Sequence, residues 1–150
     1  MFWNSSERQA HLRIEDYLAE HGTLTYTNKG TSMLPLIREG KDLFTIRRKG
    51  SERCSKGDVV LYKRPPNHYV LHRVIAVREN DYVILGDNCV NPEYGITDAD
   101  IIGVMTGYVR SGREHDIHGI SYRLYTFIML HTITIRILMK RAKAWITRKN

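Results

Sequence analysis

The sequence contains few cysteines and no long apolar run. Cys54 and Cys89 are the only cysteines among 150 residues, and their spacing does not form a CxxC motif. Two such thiols fit a reducing compartment, although one disulfide between them is also compatible with the sequence. The longest apolar stretch without a charge, residues 124–135, has 12 residues, whereas a membrane-spanning helix needs about 20. Charged side chains also interrupt the region where a signal peptide would lie. We therefore expect a cytoplasmic protein without a transmembrane helix.

Acidic residues are absent from the last 31 residues of the chain. Residues 1–119 hold 16 Lys and Arg against 16 Asp and Glu, so their net charge is zero. The net charge of +7 therefore lies entirely in residues 120–150. The basic residues there are Arg123, Arg136, Lys140, Arg141, Lys143, Arg148 and Lys149. This asymmetry predicts a β-rich domain over 1–119 followed by a basic amphipathic segment over 120–150.

The middle of the chain lacks helical spacing of apolar residues and contains short β-like runs instead. These runs lie near residues 24–26, 43–46, 58–62, 69–77, 82–85 and 101–109, with turn residues between them. A helix over about 5–20 precedes them, beginning at Asn4 and ending before Gly22. The pattern predicts a mainly β, antiparallel fold with an N-terminal helix and a C-terminal helical segment.

Ser32 is the candidate nucleophile. It follows Gly30, which permits a tight turn, and precedes Pro35, which fixes the chain as it leaves the turn. In such a turn the Ser32 backbone N–H can face a developing oxyanion. A serine hydroxyl also needs a base within hydrogen-bond reach to act as a nucleophile near neutral pH. A polar turn between two strands explains the same residues without any chemistry.

His72 is the candidate general base. In a strand it shares one face with Val70 and Val74. An apolar setting favours the neutral imidazole, which is the form that accepts a proton. A core histidine that hydrogen-bonds a carbonyl group has the same sequence pattern.

Two carboxylates are candidates to orient this histidine. Asp87 lies in a Gly-Asp-Asn turn after the fifth β-like run, and Glu93 follows six residues later. An acid that accepts the imidazole N–H fixes the tautomer of the ring. Lys41 and Lys56 are rival bases for a Ser-Lys pair, but each lies in a glycine-rich turn where nothing desolvates the ammonium group.

Four segments in this order resemble the type I signal peptidase and LexA-type serine peptidase superfamily. They read GTSMLP at 30–35, KGDVV at 56–60, HRV at 72–74 and GDN at 86–88. The resemblance covers roughly residues 23–110. It implies coiled antiparallel sheets, Ser32 as nucleophile and His72 at the base position, as in endoplasmic-reticulum-type signal peptidases. It also places Asp87 at the position of the family's acid and Glu93 at that of a further acid.

The resemblance implies a serine endopeptidase that cleaves leader-type or signal-type peptides through an acyl-enzyme, without metal or cofactor. An extended peptide is the expected partner, docked as an added strand, with Gly30, Thr31 and Met33 as substrate contacts. Gly30 stands where signal peptidases often have a serine in the oxyanion hole. The chain looks like a short branch without the N-terminal anchor of signal peptidases. A non-catalytic module that binds peptides or regulates, on the same fold, is the alternative.

The remaining signals have several interpretations. The segment 120–150 is compatible with an amphipathic helix at an anionic membrane surface, with a helix packed on the domain by its apolar face, or with nonspecific nucleic-acid binding. Peripheral membrane contact and packing are favoured equally. His115, Asp116 and His118 are expected to be exposed loop residues rather than metal ligands. Cys89 is expected to be a small packing residue.

Overall fold

The computed structural model describes residues 13–149. Its helices are α1 (Ile14–His21), α2 (Ile120–His131) and α3 (Ile133–Arg148). Its strands are β1 (Thr23–Thr27), β2 (Leu43–Arg48), β3 (Val59–Arg64), β4 (His68–Val77), β5 (Tyr82–Leu85), β6 (Glu93–Ile96), β7 (Ile101–Arg110) and β8 (Arg113–Asp116). The prediction of a mainly β, antiparallel fold is confirmed. The predicted helix start at Asn4 lies outside the described residues.

Helix α1 ends where the sequence indicates. Leu18 is buried in the core, and Ile14 packs against the same cluster from one turn earlier. Gly22 follows with a φ of +78° and donates its N–H to the Leu18 carbonyl. Glycine adopts this left-handed conformation without a steric penalty, which explains the helix end.

The strands form one antiparallel sheet in the order β1-β2-β7-β3-β4-β5-β6, with β8 paired to β7. Strand β7 is long and pairs with three other strands. It pairs with β2 along most of its length, with β3 near its start and with β8 near its end. Register shifts interrupt four of these ladders, and such irregularities increase the local twist of a sheet.

Two hydrophobic clusters cover opposite faces of the sheet. Alternation along β3 divides its residues, with Val59 and Leu61 in the first cluster and Val60 and Tyr62 in the second. The first cluster includes side chains from α1, the serine turn and α2. Its buried members are Leu18, Met33, Leu36, Ile37, Phe44, Ile46, Val59, Leu61, Leu71, Met105 and Tyr122.

Strands β6 and β8 were not predicted from the sequence. Strand β6 contains Gly95 at a φ of +76°, an uncommon residue for a strand interior. Strand β8 consists only of charged and imidazole side chains, so it has no apolar alternation. The turn before it, Ser111 and Gly112, has positive φ at both positions, the geometry of a two-residue hairpin. His115 and Asp116 thus lie in a strand, not in the expected loop.

The C-terminal helices differ in how they pack. Helix α2 buries Tyr122, which joins the first core cluster, and also Met129, whereas α3 has no buried residue. The helices are separated at Thr132, which has non-helical φ and ψ angles and begins the β-branched run of the segment. The interpretation in which the basic segment packs on the domain by its apolar face is therefore wrong for α3. No helix within residues 13–149 is long and apolar enough to cross a bilayer.

Candidate active site

The turn that carries Ser32 follows β1 and covers residues 30–37. Gly30 has a φ of +82°, a left-handed conformation that lets the chain reverse direction. Met33 and Ile37 are fully buried and anchor the turn on the core. The backbone amide of Ser32 makes no hydrogen bond to another described residue. It is therefore available to donate to an oxyanion.

The three predicted substrate contacts differ in exposure. Gly30 and Thr31 are exposed at the start of the turn. Met33 has no exposed surface and belongs to the first core cluster. Its side chain therefore packs the core and does not face a substrate, which corrects the prediction for this residue.

The Gly-Asp-Asn turn lies directly against the serine turn. Asn88 donates its backbone N–H to the Ser32 carbonyl at 2.8 Å and its side-chain amide to the Thr31 carbonyl at 3.0 Å. A Cβ atom on Gly86 would lie 2.8 Å from the Ser32 carbonyl oxygen and 2.9 Å from Nε2 of His72. The Ser32 backbone and the imidazole ring thus approach the same point, and glycine is required there.

His72 lies on β4, opposite Val60 of β3. Val74 belongs to the second core cluster and Val70 packs against it, while Leu71 enters the first cluster. The predicted strand face of His72 is therefore confirmed. The histidine itself is buried, with 6% of its surface exposed.

The hydrogen bonds at Nδ1 of His72 define the tautomer of its neutral ring. The Tyr62 hydroxyl donates to Glu93 Oε1 at 2.7 Å, and the same hydroxyl oxygen lies 3.2 Å from Nδ1. A tyrosine hydroxyl has one proton and a carboxylate only accepts. Because the Tyr62 O–H is directed at Glu93, the hydroxyl oxygen can only accept from the ring, so Nδ1 must be the donor toward Tyr62. The ring proton is therefore on Nδ1, and Nε2 keeps a free lone pair.

Glu93 is held in place from the opposite side by Arg64. The guanidinium Nε donates to Glu93 Oε2 at 2.9 Å, and Nη2 donates to Oε1. Burial raises the pKa of the Glu93 carboxyl, but the hydrogen bonds from Arg64 and Tyr62 outweigh it, and the pKa is lower than usual. Glu93 is thus ionised at neutral pH, with Oε1 lying 3.5 Å from Nδ1 of His72.

The imidazole of His72 is neutral at pH 7. Burial lowers its pKa below the ordinary value of 6.5, while the nearby Glu93 carboxylate acts in the opposite direction without reversing the shift. A neutral imidazole with an unprotonated Nε2 is the form that a general base requires.

Asp87 does not contact the histidine as expected. Its two carboxylate oxygens accept from Nε and Nη2 of Arg73, both at 2.8 Å, and one also accepts from the Tyr125 hydroxyl at 2.8 Å. Arg73 is 1% exposed and donates further to the Gly57 carbonyl. The hydrogen bonds therefore correct the expectation that Asp87 orients His72. Asp87 neutralises a buried guanidinium, and Glu93 takes the place beside the imidazole.

Ser32 and His72 line one groove with a cavity volume of about 1130 Å³. The groove lies among α1, β1, β3 and β4. The Ser32 hydroxyl makes no hydrogen bond within the described part of the chain. Catalytic hydrogen bonds are often long without substrate and shorten in the substrate complex. Strand β1 borders the groove and stands at one end of the sheet order, so one of its edges has no partner strand within residues 13–149.

The other candidate bases and ligands lie elsewhere. Lys56 lines a separate cavity of about 400 Å³ beneath α2, and Lys41 is exposed. His115 stacks on Tyr108, and Asp116 accepts the backbone N–H of His118. Within residues 13–149 no group of three or more His, Cys, Asp or Glu side chains is placed to hold a metal ion.

Cys89 lies closer to the site than its sequence position suggests. Its Sγ is 4.0 Å from Nε2 of His72 and 3.9 Å from the Ser32 carbonyl oxygen. Burial raises the pKa of this thiol, so it is protonated and weakly nucleophilic at neutral pH. It thus lies between the unprotonated imidazole nitrogen and the Ser32 carbonyl.

Tyr62 and Arg64 are the site residues that the sequence did not reveal. Tyr62 reads as one apolar position in a strand, and only its alternation with Val60 indicates that it faces the same side as His72. Nothing in the sequence indicates that Arg64 pairs with Glu93, 29 residues away. Comparison with known protein families, curated proteins and solved structures gave no significant match for this chain.

Proposed function

We propose that the protein is a serine endopeptidase of the signal-peptidase-like and LexA-type kind, with Ser32 as nucleophile and His72 as general base. The observation that carries the proposal is the set of hydrogen bonds at His72. They leave Nε2 unprotonated beside the Ser32 backbone. The LexA-like arrangement of the sheet is part of this proposal, supported by the contact between the serine turn, the histidine strand and the Gly-Asp-Asn turn.

In the proposed reaction, Nε2 of His72 removes the proton from Ser32 Oγ as Oγ bonds to the carbonyl carbon of the scissile peptide. The free Ser32 amide donates to the resulting oxyanion. His72 then gives its proton to the leaving amine, and the acyl-enzyme forms. In the second half, His72 takes a proton from water, the hydroxide attacks the ester, and the proton returns to Ser32 Oγ.

Glu93 is the positioning residue in this scheme. It holds Nδ1 through Tyr62 and stabilises the imidazolium that forms when His72 accepts a proton. The imidazolium is transient, so a fixed carboxylate beside it lowers the energy of that state more than the energy of the resting state.

The groove supports an extended peptide as the substrate. Strand β1 lies beside the groove shortly before the serine turn, and one of its edges is not paired with any strand of the described part of the chain. A peptide that adds to this edge gains main-chain hydrogen bonds along its length. Its scissile carbonyl would then reach Ser32 at the end of the strand. Leader-type or signal-type peptides, which bind in extended form, fit this geometry.

Cleavage of an extended-peptide library by the full chain, read by mass spectrometry, tests the proposal. Ser32→Ala and His72→Ala are expected to lower kcat/KM by about a thousandfold or more. Ser51→Ala, which changes an exposed serine in another turn, is the matched control and should cleave normally. Cys89→Ser should also retain cleavage, because its thiol is protonated. Activity that survives Ser32→Ala but disappears with Cys89→Ser would identify the cysteine as the nucleophile.

The alternative is a peptide-binding module without catalysis. It predicts that the wild-type chain binds extended peptides in a fluorescence assay and leaves them intact after prolonged incubation. Binding of intact peptides, with equal affinity in Ser32→Ala, would support that module and reject the peptidase.

A further inference from the structure

Helix α3 has two faces with different contacts. On its inner face, Arg136 donates to the Asp87 carbonyl at 2.7 Å, and Lys140 donates to the carbonyl and side-chain oxygens of Asn88. Asn88 in turn holds the Ser32 carbonyl. Polar contacts therefore fasten the inner face of α3 to the turn that supports the nucleophile.

The outer face of α3 is apolar, and its large side chains are exposed among the described residues. At about 3.6 residues per turn, five large apolar side chains lie on one side of the helix, together with Ala142. These five are between 58% and 67% exposed. They are Ile135, Leu138, Met139, Trp145 and Ile146. Helix α2 has its own exposed apolar row, formed by Ile120, Leu124 and Phe127. Contiguous exposed apolar side chains of this kind mark an interaction surface.

The charge around this face indicates its partner. Arg141 and Arg148 border the apolar side chains on the helix circumference and make no ion pair with a described residue. Residues 120–150 contain seven Lys and Arg and no acid. An apolar face bordered by cations is complementary to acyl chains beneath anionic headgroups.

A second copy of the chain fits this face less well. A two-fold dimer joins the same patch on both subunits. The basic borders of α3 would then face each other without any acid in the segment to neutralise them. Like charges brought together at an interface oppose association.

We propose that the outer face of α3 binds the surface of an anionic membrane. The helix lies in the interface, with Trp145 and its apolar neighbours among the upper acyl chains and Arg141 and Arg148 at the headgroups. The inner face stays fastened to the Asp87–Asn88 turn. The groove of Ser32 is consequently held beside the membrane, where it meets peptides that reach or leave the bilayer. Binding itself does not depend on the proposed peptidase activity.

Flotation of the full chain with vesicles tests the proposal. The wild type should float with phosphatidylcholine vesicles that contain phosphatidylglycerol, and much less with phosphatidylcholine alone. The double variant Leu138→Ser with Met139→Ser should lower partitioning by about tenfold or more, since two exposed apolar side chains that would enter the acyl chains are lost. Leu43→Ser with Val77→Ser removes two exposed apolar side chains from the sheet and should float like the wild type.

Two further readouts complete the test. Arg141→Gln with Arg148→Gln should lower partitioning onto the anionic vesicles and weaken its salt dependence. With Trp3→Phe, Trp145 remains the single tryptophan, and its emission should shift to the blue on vesicle binding.

Ser32→Ala should float normally, so rejection of the peptidase proposal would leave the membrane proposal standing. Equal flotation of the Leu138 and Met139 variant, or a dimer in solution that this variant dissociates, would overturn the membrane assignment.

Discussion

The proton on His72 determines what the candidate site can do. A neutral imidazole has one donor and one acceptor, and the structure assigns them through its neighbours. The Tyr62 hydroxyl already donates its hydrogen bond to Glu93, so Nδ1 donates to the hydroxyl oxygen and Nε2 accepts. The residue that sets this arrangement is Glu93, because Tyr62 would otherwise be free to donate to the ring itself.

We expect Glu93→Gln to reduce kcat by about a hundredfold or more, since a neutral amide does not stabilise the imidazolium. The pH profile should also move. The Glu93 carboxylate raises the pKa of His72, so its removal lowers that pKa further. The acid limb of kcat/KM should therefore shift to lower pH, although the activity is smaller. Steady-state rates across the pH range measure both effects.

Asp87→Asn provides the matched comparison. Asp87 neutralises Arg73, which is 1% exposed, and an unpaired buried guanidinium costs about 3–5 kcal/mol of stability. Glu93 instead pairs with the partly exposed Arg64, so Glu93→Gln should cost about 1 kcal/mol or less. Urea unfolding separates the two variants. A stable Asp87→Asn whose acid limb moves, beside a Glu93→Gln with a normal profile, would return the orienting role to Asp87.

At the scale of elements, the Gly86–Asn88 turn joins the two halves of the site. Gly86→Ala adds a methyl group within 2.9 Å of both the Ser32 carbonyl oxygen and Nε2 of His72. We expect at least about a tenfold loss of kcat/KM, because small displacements of catalytic groups are costly. The fold should persist, since Gly86 does not have a positive φ. Thermal unfolding and kinetics, measured on the same sample, distinguish these effects.

Gly50→Ala is the control for this change. Its added methyl group would meet only the flexible end of the Glu52 side chain, in an exposed turn. This variant should keep normal kinetics. If Gly86→Ala is as active as Gly50→Ala, the close approach at Gly86 is not needed for catalysis.

The elements that could be predicted from sequence are those with a local signal. The positive φ of Gly22 ends α1. Six strands have apolar runs bounded by turn residues. Strand β8 lacks such a run and exists because β7 offers it a partner. The pairing of His72 with Glu93 depends on how β3, β4, β5 and β6 are registered, including the shifts in two ladders. The sequence shows Asp87 and Glu93 as candidates but does not indicate which of them lies beside His72.

Over the whole molecule, the partly buried Glu15 and the buried Asp42 link a helix and a turn to the sheet. Glu15 of α1 accepts from the Tyr69 hydroxyl at 2.6 Å and from Lys63 at 3.0 Å. Asp42 accepts from Arg38 and Arg110 and so ties the end of the serine turn to β7. Each contact needs an ionised carboxylate, which makes the assembly of the domain sensitive to acid.

Acid unfolding should show this dependence at Glu15. Burial raises the pKa of its carboxyl, but the Tyr69 and Lys63 hydrogen bonds outweigh it and lower the pKa from 4.5 to about 2. The unfolded chain therefore binds the proton more tightly. The contribution, of order 1 kcal/mol after solvent screening, is present above pH 4.5 and is lost as the pH falls toward 2. Urea unfolding at several pH values should show a shallower acid slope in Glu15→Gln, while Glu114→Gln, a change at an exposed strand position, keeps the wild-type slope. Identical slopes in all three proteins would mean that Glu15 does not link α1 to the sheet.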